Sequence, residues 1–116
     1  MNDKKPPTGL KRSGRSLWAA VLEEFELDEH ERQVLREACR TADLLDSLQT
    51  VLDREGPMAE SSQGMRVHPA AVELRQQRIA LARLFAALDL PHGEESGAGR
   101  TQHRGVRGVY GVGGAS

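Results

Sequence analysis

The chain of 116 residues is 38% hydrophobic and 28% charged, with a formal net charge of −1. That length supports one small domain and argues against the deep cleft of an enzyme. A single cysteine excludes an internal disulfide framework, and no apolar run suits a signal peptide or membrane span, so the expected compartment is the cytoplasm.

Charge is segregated along the chain. Residues 1–15 hold Lys4, Lys5, Lys11, Arg12 and Arg15 against Asp3 alone, and residues 97–116 hold Arg100, Arg104 and Arg107 with no acid. The stretch between, 16–96, holds 16 acids against 8 bases. An acidic body with two basic arms suits nucleic acid or an acidic partner surface, simple solvation being the alternative.

In chain order, the prolines and glycines of "PPTGLKRSG", 6–14, give residues 1–15 the composition of a loose arm. Leu17, Trp18, Val21, Leu22 and Phe25 then recur at helical spacing, which predicts a first helix over about 16–26, capped by Ser13 or Ser16. It is too short to stand without a packing partner.

A second helix is predicted over about 29–54. Asp28 with Glu31 three residues on forms a capping-box start, and Gly56 before Pro57 forms the stop. Val34, Ala38, Thr41, Leu45, Leu48 and Leu52 alternate by four and three like a coiled-coil seam. Leu35 falls on one flank of that seam, and Leu44 and Val51 on the other, so more than two helices must meet there.

Two short runs, Met58 to Glu60 and Met65 to Val67, flank a Ser-Ser-Gln-Gly turn and predict a β-hairpin over about 57–67, with Gly64 suited to positive φ. Such a ribbon is marginal alone and is expected to lean on a helix or join a neighbour's strands. Pro69 then opens a third helix over about 69–89 whose second half, "IALARLFAALDL", is apolar nearly all round. One small protomer cannot cover this helix and the wide arc of helix 2, which predicts an oligomer. Residues 92–116, rich in Gly and Arg, lack a periodic apolar face and are expected to be disordered.

Candidate chemical sites are few. His30, Cys39 and His68 show no metal-ligand spacing, so no metal or other cofactor is expected. Cys39 reads as a small buried hydrophobe, having no histidine at helical spacing to activate it. Glu37, Asp43, Asp46 and Asp53 lie on or beside the polar side of helix 2, where charge is the default. Arg32, Arg36 and Arg40 form a stripe that is either a phosphate rail or a solvated face paired with Asp28 and Asp43. Arg75 and Arg78 fall inside an arc of Ala71, Leu74, Ala82, Phe85 and Leu88, so an acid of helix 2 or of a neighbour is expected to pair with them if that arc is buried; if it is open, they face a central channel. The glycine-rich tail has no Gly-Lys-Ser/Thr ending and no preceding strand, which excludes a nucleotide loop. Its Arg-Gly repeats with Tyr110 suit a flexible nucleic-acid contact, a docking peptide or an inert linker.

Taken together, "GRSLWAAVLEEFELDEHERQVLREACRTADLLDSL", the break at "REGPMAESSQGMRVHPA", and "VELRQQRIALARLFAALDLP" resemble the small subunit of the terminase of tailed bacteriophages across residues 14–91. The Leu-Trp helix, the "ELDEHE" cap, the "LREACRTAD" seam and the "VHPA" start of helix 3 occur in that order. The resemblance implies a non-catalytic, ring-forming protein of the host cytoplasm, not carried in the mature virion. Such a protein recognises double-stranded viral DNA for packaging, delivers it to the terminase large subunit and modulates that subunit's ATPase and nuclease.

The expected architecture is therefore mainly α. A short N-terminal helix precedes a long antiparallel helical hairpin interrupted by a small β-hairpin, and the whole assembles into a ring-like homo-oligomer. Residues 1–15 form a basic arm, 16–91 an oligomerisation domain and 92–116 a tail. Lys4, Lys5, Lys11, Arg12, Arg15, Arg100, Arg104 and Arg107 are the candidate DNA contacts, the tail arginines serving DNA or the large subunit. Leu35, Leu44, Leu45, Leu48, Val51, Leu52, Leu81, Leu84, Phe85 and Leu88 are the candidate oligomer contacts. A helical dimeric transcription regulator using the same arms is the competing class.

Overall fold

The computed structural model describes residues 4–90. They form α1 (Arg12–Glu24), α2 (Glu29–Glu55), β1 (Met58–Ser61), β2 (Gly64–Val67) and α3 (Pro69–Leu88). The mainly helical class and the two-stranded sheet between the second and third helices match the expectation.

The start of α2 follows from local chemistry. The Asp28 N–H donates to Glu31 Oε1 at 2.8 Å and the Asp28 side chain takes the reciprocal bond, closing the capping box. At the other end the Gly56 N–H donates to the Leu52 carbonyl at 2.7 Å, and Gly56 takes φ 85°, a conformation open to glycine. The chain then turns into the antiparallel β1–β2 pair, with Met58 opposite Val67 and Glu60 opposite Met65. Gly64 takes φ 111° in its turn, and the His68 N–H donates to the Pro57 carbonyl at 2.7 Å across its base.

His68 is the N-cap of α3. Its Nδ1 accepts the Ala70 N–H at 2.9 Å, so the ring proton sits on Nε2, which donates to Glu55 Oε1 at 2.8 Å. This pair ties the last turn of α2 to the first of α3. The His68 hydrogen bond, and after it one from Arg54, hold the Glu55 carboxyl below its ordinary value of 4.5. Because the folded value is the lower one, the pair's contribution is complete above the ordinary carboxylate range and is lost as pH falls through the folded value. Glu55→Gln is therefore expected to lower the melting temperature at pH 7, with the gap to wild type closing below about pH 4. A gap that stays constant down to pH 3 would contradict this role.

α2 and α3 run antiparallel. Glu55 meets His68 at one end, and Leu35 and Cys39 share a core with Leu88 at the other. α1 caps that second end. The core joins Leu10, Trp18, Val21, Leu22, Phe25 and Leu27 to Leu35, Cys39 and Leu88, with Leu17, Val34 and Leu90 packed against it.

Two sequence-based expectations are corrected here. The first helix begins at Arg12 and not near Ser16, and neither Ser13 nor Ser16 caps it. Its cap comes from α2: Asp43 accepts the Lys11 N–H through Oδ2 and the Gly14 N–H through Oδ1, each at 2.7 Å. Ser13 Oγ also donates to Asp46. Residues 4–11 are likewise packed and not loose. Leu10 is buried, Trp18 Nε1 donates to the Lys4 carbonyl at 3.0 Å, and an Arg15 guanidinium nitrogen donates to the Leu10 carbonyl at 2.5 Å.

Candidate nucleic-acid interface

The basic arm is displayed by this capped helix start. Lys4, Lys5, Lys11, Arg12 and Arg15 are all exposed. Lys5, Lys11 and Arg12 have no ion pair among the described residues, while Arg15 spends one nitrogen on the Leu10 carbonyl. The backbone leading to these cations is fixed by Trp18 from one side and Asp43 from the other.

Electrostatics set how an anion can be met. The first amides of a helix ordinarily offer a phosphate site, because unpaired N–H groups and the helix dipole both favour negative charge. In α1 the Asp43 carboxylate already occupies that place. An anion approaching this helix start would therefore meet the side chains of the arm and not the first amides of α1.

Asp43 and Asp46 therefore have structural partners, and Asp43 does not pair with the Arg32–Arg36–Arg40 stripe. Arg40 binds Glu37 at 2.8 Å instead, and Arg36 donates to Gln33 with its Nε 3.7 Å from Glu37. Arg32 and Arg36 are half-buried, each with an Nε that is shielded from solvent and without a hydrogen-bond partner. A single carboxylate, Glu37, thus offsets the three guanidinium groups of the stripe, which keeps a net positive charge.

Cys39 is wholly buried where α1 crosses α2. Burial, and next the Asp43 carboxylate, push its thiol up to about 12, so it stays uncharged at neutral pH and lacks the thiolate a nucleophile needs. Asp28, His30 and Glu31 bring potential ligand atoms within 4.8 Å of one another. The two acids, however, are committed to the capping box that starts α2.

Arg75 and Arg78 are exposed and have no ion pair among the described residues, so within the protomer the open arc is the alternative that holds and the buried ion pair does not form. The side of α3 turned to α2 is marked instead by Ala70, Leu74 and Leu88. No family model, curated protein or solved structure matches the chain.

Of the candidate oligomer contacts, Leu35 and Leu88 are removed, because both are fully buried inside the protomer by α1 and the start of α2. Leu45, Leu48, Val51, Leu52, Leu81 and Leu84 are half-buried, and Leu44 and Phe85 are exposed. Arg100, Arg104 and Arg107 lie outside the described residues.

The Asp43 cap and the close approach at Gly14 are not foreseen from the sequence. One signal for them does exist there: a glycine inside a helix-forming run marks a place where another backbone comes near.

Proposed function

We propose that the chain is a non-catalytic, DNA-binding oligomer that acts as a terminase small subunit, recognising viral DNA for packaging and regulating the large subunit's ATPase and nuclease. The observation that carries this reading is the arm, in which Lys5, Lys11 and Arg12 stand exposed and unpaired among the described residues on a backbone held from both sides. Exposed apolar side chains on α2 and α3 support self-association, and the order of elements agrees with the family it resembles.

Phosphate contact of this kind gives weak sequence preference and steep salt dependence. Replacing Lys11, Arg12 and Arg15 together by alanine is expected to flatten the slope of log affinity against log salt by about 0.9 for each phosphate the arm no longer neutralises. An unchanged slope removes the arm from DNA binding. The mass of the purified particle tests the other half: many protomers support the packaging reading, and a stable dimer favours a transcription regulator.

A further inference from the structure

The arginine row of α2 works against its own helix. Arg32, Arg36 and Arg40 recur at intervals of four, which sets each about 6 Å along the axis from the next. Like charges at that spacing destabilise a helix. Glu37 is the one carboxylate within ion-pair distance of the row, 2.8 Å from Arg40 and 3.7 Å from the Arg36 Nε. Glu29, one turn before Gln33, accepts from that amide instead.

The protomer also leaves much of the row's bonding capacity unused. A guanidinium group presents five N–H donors. Among the described residues Arg36 is hydrogen-bonded to Gln33 alone and Arg40 to Glu37 alone, and the Nε of Arg32 and of Arg36 has no acceptor. The Arg36 and Arg40 side chains are 36% and 54% exposed, so an acceptor from outside the protomer can reach them.

This row lies on the face of α2 that receives the basic arm. Reckoned at about 100° per residue, Asp43 stands about 20° from Arg36 and about 60° from Arg40 around the axis. Asp43 is also the residue that accepts the Lys11 and Gly14 N–H groups. Lys11 is therefore seated less than one turn along α2 from Arg40, and the two sets of cations adjoin. From Arg36 to Asp43 the axis rises about 10 Å, the rise of about three nucleotides of one DNA strand. The acids Asp43 and Asp46 lie at this junction, both bonded to the start of α1.

An acidic boundary ends the cationic surface on one side. Residues 16–31 hold six acids and no lysine or arginine, and they span the rest of α1 and the first residues of α2. Glu23, Glu24 and Glu29 are exposed there and repel a polyanion.

We propose that Arg36 and Arg40 are phosphate contacts that carry the arm's hold on duplex DNA onto α2. Arginine suits this place, because its planar fork bonds two phosphate oxygens at once, and forks on successive turns match a chain of phosphates better than a single anion. The inference rests on the DNA half of the proposed function. It adds a second set of contacts and a direction, the duplex running from the arm towards Arg36 and stopping short of the acidic boundary.

The test titrates the full chain into a labelled DNA duplex at several salt concentrations, following fluorescence anisotropy, with each variant checked for wild-type helicity by circular dichroism. Arg36→Gln with Arg40→Gln is expected to flatten the slope of log affinity against log salt by about 1.8, two phosphates at about 0.9 each. Arg54→Gln with Arg66→Gln removes the same charge from exposed positions at the opposite tip and is expected to leave the slope unchanged. An unchanged slope in the first pair overturns the proposal, and so does an equal loss in the second, which would show that net charge alone is felt.

If the first pair loses helicity, Arg40→Gln by itself, at an exposed position, is expected to flatten the slope by about 0.9, and no change overturns the proposal. A slope that responds to the arm variant and not to Arg36 and Arg40 sinks this inference while the DNA reading stands. Wild type without salt-dependent DNA binding sinks both.

Discussion

Replacing Gly14 by alanine is expected to destabilise the protein by about 1–3 kcal/mol, the usual cost of forcing an extra methyl into a well-packed contact. The sign is the informative part. Within a helix, Gly to Ala ordinarily stabilises by about 0.5–1 kcal/mol, because glycine loses more backbone freedom on folding. Here a Cβ would stand 2.5 Å from Asp43 Oδ2 and 2.8 Å from the Cys39 carbonyl oxygen. The carboxylate is pinned by two N–H donors, and the carbonyl belongs to the backbone of α2, so α1 must move away.

The same displacement strips the cap from α1, which adds about 1 kcal/mol by comparison with ordinary cap losses. Asp43→Ala on its own is expected to cost about 1–2 kcal/mol. Combining the two should cost less than their sum, because each disrupts the same contact. Urea denaturation of the two single variants and the double variant reads this directly. A Gly14→Ala protein as stable as wild type would show that the two helices do not approach this closely.

Trp18→Ala is expected to cost about 3–5 kcal/mol, in the range for removing a large aromatic side chain from a core. Trp18 is buried in the core that α1 shares with Leu35, Cys39 and Leu88, and its Nε1 also donates to the Lys4 carbonyl. Trp18→Phe separates these roles. It keeps most of the apolar volume and loses the hydrogen bond, for a cost of about 1 kcal/mol plus imperfect filling. Amide exchange at residues 4–10 should accelerate in Trp18→Phe while α2 stays protected. Unchanged exchange there would mean that Leu10 and Arg15 hold the arm without the indole.

What the sequence made legible was short in range. Asp28 with Glu31, Gly56 before Pro57, Gly64 in its turn and Pro69 at a helix start are each decided by neighbours within a few residues, and each stands as expected. The start of α1 was illegible because its capping carboxylate lies 32 positions from Lys11. Periodicity also could not choose the inner side of α3, since a helix apolar nearly all round offers more than one. That ambiguity left open whether the arc holding Arg75 and Arg78 is buried, and both are exposed. Leu35 and Leu88 were assigned to contacts between copies for a related reason: nothing local shows that α1 folds over them. Of the candidate interface, the arm's cations were readable from composition, while the rigid seat beneath them was not.

The wholly buried Leu35, Cys39 and Leu88 all belong to the end of the α2–α3 pair that α1 covers. The opposite tip relies on a surface carboxylate–imidazole link and a ribbon whose Met58, Met65 and Val67 face solvent. Each protomer thus has a well-buried root and a less buttressed tip, and in the proposed assembly small differences in angle between neighbours would be taken up at the tip, leaving the cationic arms in a constant pose. Exchange protection that declines along α2 from Leu35 towards Glu55 would be the signature of that gradient.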